Sequence, residues 1–299
     1  MKKILSLVAV LLLSFVFFSC ESKRDENGDL LFGLDEVPID QGGPGVTKKL
    51  TKVTEKDADG ELTTVTYTYE GDKIKKAVLV GEDATETLDV VYNGTVLKEF
   101  TSTSTDASGQ PIKANFTLVY EGQNLKKITG VYNQATTIVS KATTDYSYNS
   151  SDKLIKVLTT INAVDPDNQS DETLSTTIES DLLYSNLNVT KWRLDTKQYM
   201  DLGSGPVMMS NIVVETNFMN FDTNKNPFST LPIDFIRATC NLADGFGGFN
   251  GISANNFSKA TAVVMGMNQV LNFTYAYDGD GYVTKRTGDD GSVVTYEYK

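Results

Sequence analysis

No histidine occurs among the 299 residues. That removes Ser-His-Asp and Cys-His nucleophilic catalysis, and histidine-ligated zinc or iron. The side chains left for chemistry are acids, glycine runs and aromatics. Asp165-Pro166-Asp167-Asn168-Gln169-Ser170-Asp171-Glu172 places carboxylates at the first and third positions of a calcium loop. It lacks the glycine at the sixth and the glutamate at the twelfth, so it reads as a solvated hairpin loop. Asp278-Gly279-Asp280-Gly281 and Asp289-Asp290-Gly291 read as turns. Gly245-Phe246-Gly247-Gly248-Phe249-Asn250-Gly251 has neither the GxGxxG spacing nor a following Gly-Lys-Ser/Thr. A loop is expected there, with Phe246 and Phe249 free to touch a partner. A paired-carboxylate glycosidase needs two acids facing across a cleft. The 39 acids permit one, yet no spacing singles out a pair. No metal site, cofactor or catalytic residue is expected.

The aromatic residues are the most ordered feature of the chain. Tyr67-Thr68-Tyr69-Glu70-Gly71-Asp72-Lys73-Ile74-Lys75-Lys76 sets a pattern. It returns in Val91-Tyr92-Asn93-Gly94-Thr95-Val96-Leu97-Lys98, in Val119-Tyr120-Glu121-Gly122-Gln123-Asn124-Leu125-Lys126-Lys127-Ile128, and around Tyr148 and Tyr277. Weaker copies surround Tyr184 and Phe221, and the chain ends on half of another, Tyr296-Glu297-Tyr298-Lys299. Each copy has an alternating Tyr/Thr segment suited to a strand with one ring-bearing face. Asn, Asp or Gly then supplies a tight turn, and an aliphatic/Lys segment returns antiparallel. Such self-similarity is read first as a repeat array. The tyrosine ladder is expected to stabilise the sheet through cross-strand pairs of roughly 0.2–1 kcal/mol each. Trp192, Tyr199, Phe246 and Phe249 lie off the repeat positions and are the candidates for contact with a sugar ring or a partner protein.

Two details complicate the hairpins. In Leu125-Lys126-Lys127-Ile128 strict alternation would give each face one apolar group and one lysine. Either a bulge shifts the register, or the lysine stems lie over the rings with their ammonium groups in water; the second is expected because the feature recurs. Asn226-Pro227-Phe228-Ser229-Thr230-Leu231-Pro232-Ile233-Asp234-Phe235-Ile236-Arg237 carries a cap, an early proline and helical apolar spacing. One or two short helical turns are predicted, placed to cover an open end of the sheet.

The N-terminus sets the location. Met1-Lys2-Lys3 is basic, Ile4 to Phe18 is almost wholly apolar, and polarity begins directly after Ser19-Cys20. The apolar run is too short for a membrane span and reads as a secretory signal. Residues 1–19 are assigned to the signal peptide, 20–46 to a lipidated Cys20 and flexible tether, and 47–299 to the β domain. With Cys20 acylated, Cys240 has no disulfide partner and is expected as a small buried apolar residue. The mature chain has 25 basic and 39 acidic residues, a net charge of −14. That disfavours nucleic acid as a partner.

The Tyr-x-Tyr-x-x-x-Gly-x-Leu-x-Lys phrasing resembles YD/Rhs-type repeats. The lipobox-like start, Asn226-Pro227-Phe228 and Asp280-Gly281-Tyr282-Val283-Thr284-Lys285 together resemble outer-membrane lipoproteins of the Bacteroidota, a domain-of-unknown-function family with a porin-like fold. The resemblance covers roughly residues 47–299. It implies an outer-membrane location and no defined activity. Lys23-Arg24-Asp25-Glu26 resembles the acidic stretch after the anchor that directs such lipoproteins to the cell surface. A bilayer-inserted barrel is not expected, because alternate strand positions hold Thr, Ser or Lys, as in Thr63-Thr64-Val65-Thr66.

The expected fold is all-β: an antiparallel meander of repeated hairpins forming a strongly curved sheet or incomplete barrel, with one short helix. The expected function is that of a non-catalytic, membrane-anchored surface lipoprotein binding a glycan or protein partner. Two alternatives stand beside it: a carrier of a small apolar ligand or lipid in the concave face, and a paired-carboxylate glycosidase.

Overall fold

The computed structural model describes residues 48–82, 85–105, 109–240 and 249–299. The signal segment, Cys20, the tether and Phe246 lie outside the described residues. Sixteen strands follow one another: β1 (Leu50–Lys56), β2 (Leu62–Glu70), β3 (Lys73–Val80), β4 (Thr85–Asn93), β5 (Val96–Thr105), β6 (Pro111–Glu121), β7 (Asn124–Gln134), β8 (Thr137–Tyr148), β9 (Leu154–Val164), β10 (Glu172–Ser185), β11 (Asn188–Asp201), β12 (Pro206–Lys225), β13 (Asn255–Val264), β14 (Met267–Tyr277), β15 (Val283–Gly288) and β16 (Val293–Tyr298). Between β12 and β13 lie a 3-10 turn (Pro227–Thr230), helix α1 (Ile233–Thr239) and a second 3-10 turn (Phe249–Ile252).

Each strand pairs antiparallel with its neighbours in sequence, and β1 pairs with β16. The sheet is therefore a closed barrel, not the strongly curved sheet or incomplete barrel expected from the sequence. The physical reason is at the termini. The last strand is a tyrosine half-copy with no return strand of its own. The first strand is an aliphatic half with no tyrosine strand before it among the described residues. Joined, Leu50 faces Tyr298 and Val53 faces Tyr296, and no edge is left along that seam.

One cross-strand pair per hairpin marks one end of the barrel. The pairs are Tyr69↔Ile74, Tyr92↔Leu97, Tyr120↔Leu125, Tyr148↔Leu154, Tyr184↔Val189, Phe221↔Phe257, Tyr277↔Val283 and Tyr298↔Leu50. Beside these pairs the register shifts by one residue, as between Thr68 and Tyr69 or Val119 and Tyr120. A β-bulge therefore resolves the lysine problem, and the expected draping of those lysine stems over rings is corrected. Tyr69 faces Ile74 and Thr68 faces Lys76, so Lys75 is the extra residue. Both lysines point out while Ile74 and Ala77 point in. The tight turns here need positive φ, supplied by Gly71 (61°) and by Asn186 (51°).

Alternation does the rest. In β2, Val65, Tyr67 and Tyr69 face the interior, while Thr66, Thr68 and Glu70 are exposed. In β6, Ala114, Phe116 and Leu118 face inward, while Lys113, Asn115, Thr117 and Glu121 are exposed. Charged pairs bridge neighbouring strands on the outer wall: Lys52–Glu297 at 3.1 Å, Lys127–Asp145 at 3.2 Å, Lys156–Glu179 at 2.8 Å and Lys191–Glu215 at 3.0 Å. A lysine or arginine facing lipid near a bilayer midplane costs about 2–4 kcal/mol. A wall carrying these pairs faces water. No helix among the described residues is long and apolar enough to cross a membrane.

Candidate functional site: the lumen and its plug

The interior differs from end to end because the β12–β13 connection folds back into the tyrosine-marked end. Asn226 starts it: its side chain accepts from Phe228 N at 3.0 Å, capping the first 3-10 turn. Thr230 Oγ1 accepts from Leu50 N at 3.2 Å, tying the turn to the first strand. In α1, Phe235 and Ile236 are each 1% exposed. The Phe235 ring meets Tyr67 edge-on with centroids 6.1 Å apart, and Tyr146 Oη donates to Arg237 O at 3.0 Å. The second 3-10 turn packs on α1 so closely that a methyl group at Gly251 would stand 3.0 Å from Ile236 Cγ2. The predicted helical stretch is thus a plug inside one mouth of the barrel.

Tyrosine hydroxyls fasten the strands around this plug. Tyr69 donates to Leu50 O, Tyr148 to Leu125 O, Tyr184 to Leu154 O and Tyr298 to Val283 O, all at 2.7–2.8 Å. Each bond runs to the aliphatic belt residue of the preceding strand. Burial pushes the phenol pKa values up, that of Tyr148 to about 12. These hydroxyls are therefore neutral donors, not acids or bases poised for catalysis. Asp222 is held similarly: Asn224 N, Asn256 N and Nδ2, and Tyr277 Oη all donate to it. That knot anchors the plug's two ends.

Beneath the plug, β5 to β8 fill their side of the interior with aromatics. Phe100 and Phe116 stack at 4.4 Å, and Tyr132 meets Phe116 edge-on at 5.5 Å. A residual cavity of about 50 Å³ remains among these rings, Thr144, Thr159, Ile161, Ile178 and Ala238. It has room for only a few waters. Across the barrel the picture reverses. Ile178 faces Thr196, Leu194 faces Val214, Thr196 faces Ile212 and Ala260 faces Leu271. These side chains share the inward face with the core, yet Ile178, Leu194, Ile212, Val214 and Leu271 remain partly exposed. They line the wall of a half-lumen at the end away from the plug.

Polar groups share this inward face: Gln198 accepts from Ser210 Oγ at 3.0 Å, and Thr176, Thr196 and Thr216 stand between the aliphatics. Ser102 Oγ donates to Glu86 at 2.6 Å, and burial raises the Glu86 pKa. Glu55 and Arg286 face inward from either side of Val294, 3.7 Å apart, with the Arg286 guanidinium 5.0 Å above the Phe273 ring. In register Glu55 faces Thr63 and Val294, and Glu86 faces Leu79. No group of three potential His, Cys, Asp or Glu metal ligands occurs among the described residues. A pocket of about 310 Å³ beside the plug is lined by Lys49, Tyr69, Asp72, Thr230, Leu231 and Pro232. Its lysine is engaged by Asp72 at 2.6 Å and Gly71 O at 2.8 Å.

The sequence-derived contact residues are dispersed. Trp192 faces inward and packs on Phe249 with centroids 5.2 Å apart, and Phe249 is buried in the second 3-10 turn. Both are part of the plug's packing. Tyr199 lies on the far end of β11, facing Met208. The structure brings Trp192 and Phe249 together and leaves Tyr199 apart. Cys240 is buried beside α1, its Sγ 3.1 Å from Arg237 O. What sequence reasoning missed was the half-lumen. Its signal was present in Leu194, Thr196 and Ile212, Val214, alternating along two strands that carry no repeat tyrosine there.

Neither protein-family models nor curated proteins give a match to this chain. Solved structures do. A porin-like protein from Bacteroides vulgatus ATCC 8482 is similar in fold, at 12% identity over 84% of this chain and 99% of that one, with a TM-score of 0.51. A porin-like protein from Bacteroides uniformis ATCC 8492 covers 84% of this chain and 98% of that one at 15% identity, with a TM-score of 0.45. At such identities the first likeness is one of fold. The porin-like fold implied by the sequence resemblance is the fold found.

Proposed function

We propose that this chain is a non-catalytic outer-membrane protein, held at the bilayer by lipid on Cys20, whose water-facing barrel takes a small apolar molecule into its half-lumen. One observation carries the reading: charged pairs bridge the outer wall, while Leu194, Ile212, Val214 and Leu271 stand partly exposed on the inward face. A closed wall with charged pairs outside needs no lipid around it, and an interior plugged at one mouth has one entrance. Partly exposed Leu194, Ile212, Val214 and Leu271 would gain by covering: about 25 cal/mol for each Å² of apolar surface removed from water. Sugars find no stacked aromatic face here, because Trp192 and Phe249 are occupied with each other.

Trp192 is the sole tryptophan and stands at the plug, so it reports on the lumen. Titration with N-phenyl-1-naphthylamine should quench it saturably, and Ile212→Asp should weaken that binding at least tenfold. A linear, non-saturating response in the unsubstituted protein would refute apolar binding. Anchoring is tested separately: Cys20→Ser should move the protein from the membrane to the soluble fraction, and unchanged sedimentation with membranes would count against the lipid.

A further inference from the structure

The tallest part of the wall ends in an unguarded edge. β12 pairs with β11 from Pro206 to Asn217, but its pairing with β13 starts only at Val214↔Val264. Eight residues, Pro206 to Val213, therefore rise beyond β13 with no strand on that side among the described residues. That is roughly 25 Å of strand. Its backbone groups on the free side stand open for a ladder.

The composition of this edge is unlike the rest of the surface. Val207-Met208-Met209-Ser210-Asn211-Ile212-Val213 has no charged residue and no internal proline. Met200, Leu202, Val207, Met208, Met209, Met265 and Met267 are all exposed, from 43% to 72%, on this hairpin and on the β13–β14 turn at its foot. Five of the chain's seven methionines lie here. Exposed edges are ordinarily protected by lysine, proline or covering elements. Elsewhere on the outer wall exposed aliphatics stand against charges, as Val91 faces Glu99, Val119 faces Lys127 and Leu183 faces Lys191; this edge has none of those guards. Its one irregularity, the bulge at Met209, lies in the pairing with β11.

An unpaired strand with apolar side chains and no charge recruits another extended segment of the same kind. The edge itself is such a segment. We infer that two copies of this chain pair through Met209–Val213 of β12, antiparallel about a two-fold axis at Asn211. In that register Asn211 meets Asn211, Ser210 meets Ile212 and Met209 meets Val213. No like charges oppose one another, and an outward amide faces its own copy across the axis. A closed two-fold contact of this sort joins two barrels and goes no further. The ribbon also holds the bodies apart. Each carries a strong negative charge, and a Debye length of about 8 Å at physiological salt screens bodies separated by the ribbons. Salt should therefore strengthen the pairing.

The test uses the full-length protein in mild detergent, with its mass read by light scattering. At about 100 μM, where a micromolar pairing is saturated, the expected mass is twice that of one chain. Lowering salt from 150 mM to 10 mM should weaken the dimer, as the Debye length grows to about 30 Å. Asn211→Lys places two ammonium groups on the axis, and should raise the dissociation constant at least tenfold with an unchanged melting temperature. Asn211→Cys should form a disulfide dimer on mild oxidation, while Thr68→Cys on the outer wall should not. A monomer at all salt concentrations, a dimer indifferent to Asn211→Lys, or an edge occupied by a different protein or by lipid each overturns the inference.

Discussion

The plugged mouth and the open rim of this barrel are built from the same sheet and obey opposite rules. At the plugged mouth, seven aromatic–aliphatic pairs and Phe221↔Phe257 close around α1, and Leu50, Ile74, Leu97 and Leu125 are wholly buried. At the open rim the strands reach different heights, inward aliphatics stay partly wet and methionines are exposed. Tight packing therefore resides where the repeat is strict, and partly covered inward side chains where it lapses. Such a division is common in proteins that must hold a rigid frame around an adaptable surface.

The largest expected contrast comes from truncating one side chain in each region. Phe235→Ala empties the plug beneath Tyr67, and a buried phenylalanine lost this way costs about 3–5 kcal/mol. Leu271→Ala removes a side chain that is only half covered, and should cost under about 1 kcal/mol. Urea unfolding measured on both variants checks the comparison. Equal losses would mean that the half-lumen is as tightly packed as the plug. Overfilling sharpens the same point: a Cβ at Gly130 would lie 2.7 Å from Phe116 Cε1. The Phe116 ring is pinned between Phe100 and Tyr132, so Gly130→Ala should cost about 1–3 kcal/mol.

A finer contrast separates tyrosines that fasten from tyrosines that fill. Tyr148 Oη donates to Leu125 O, whereas Tyr67 Oη is buried without a partner. Tyr148→Phe should then cost about 1 kcal/mol, and Tyr67→Phe should be neutral or stabilising. Thermal melts of the two variants distinguish them, and a larger loss at Tyr67 would show a partner for that hydroxyl.

The sequence disclosed the plugged mouth and hid the open rim. Tyr69, Tyr92, Tyr120 and Tyr148 recur with turn residues at fixed offsets, so the hairpins were legible from local chemistry. The segment after Asn226 was legible as helical because its cap, proline and apolar spacing are local too. Closure was not, although both halves of the evidence were present. Tyr296-Glu297-Tyr298 reads as an unfinished copy, and Leu50-Thr51-Lys52-Val53 reads as an ordinary strand. Only the 248-residue separation between Leu50 and Tyr298 hides that each completes the other. The bulges were misjudged for a related reason. A bulge is a property of two strands together, and Lys126-Lys127 alone does not declare which partner residue is skipped. Trp192 and Phe249 drew attention as residues off the repeat. They are off it because they belong to the plug's packing, which answers to three-dimensional proximity and not to period.

The smallest effect concerns Glu86, an acid on the inward face near the rim side of β4. Burial raises its pKa above the usual carboxylate value, and the hydrogen bond from Ser102 only partly offsets that. A carboxyl whose folded pKa exceeds its unfolded one binds more protons in the folded state between those two values. Stability then falls as pH rises through that window, and is restored below it. This is opposite in sign to the turn acids Asp72 and Asp278, whose lysine partners Lys49 and Lys48 lower their pKa values. Those acids favour the folded state at neutral pH and lose their contribution on acidification. Glu86→Gln should therefore raise the melting temperature slightly at pH 7 and steepen the loss of stability in acid, because one contribution opposing that of the turn acids is removed. Melting curves from pH 3 to pH 7 measure it. An unchanged acid limb would mean that Glu86 is solvated, and that water reaches deeper into the β4 side of the barrel than the packing of Leu88 and Phe100 allows.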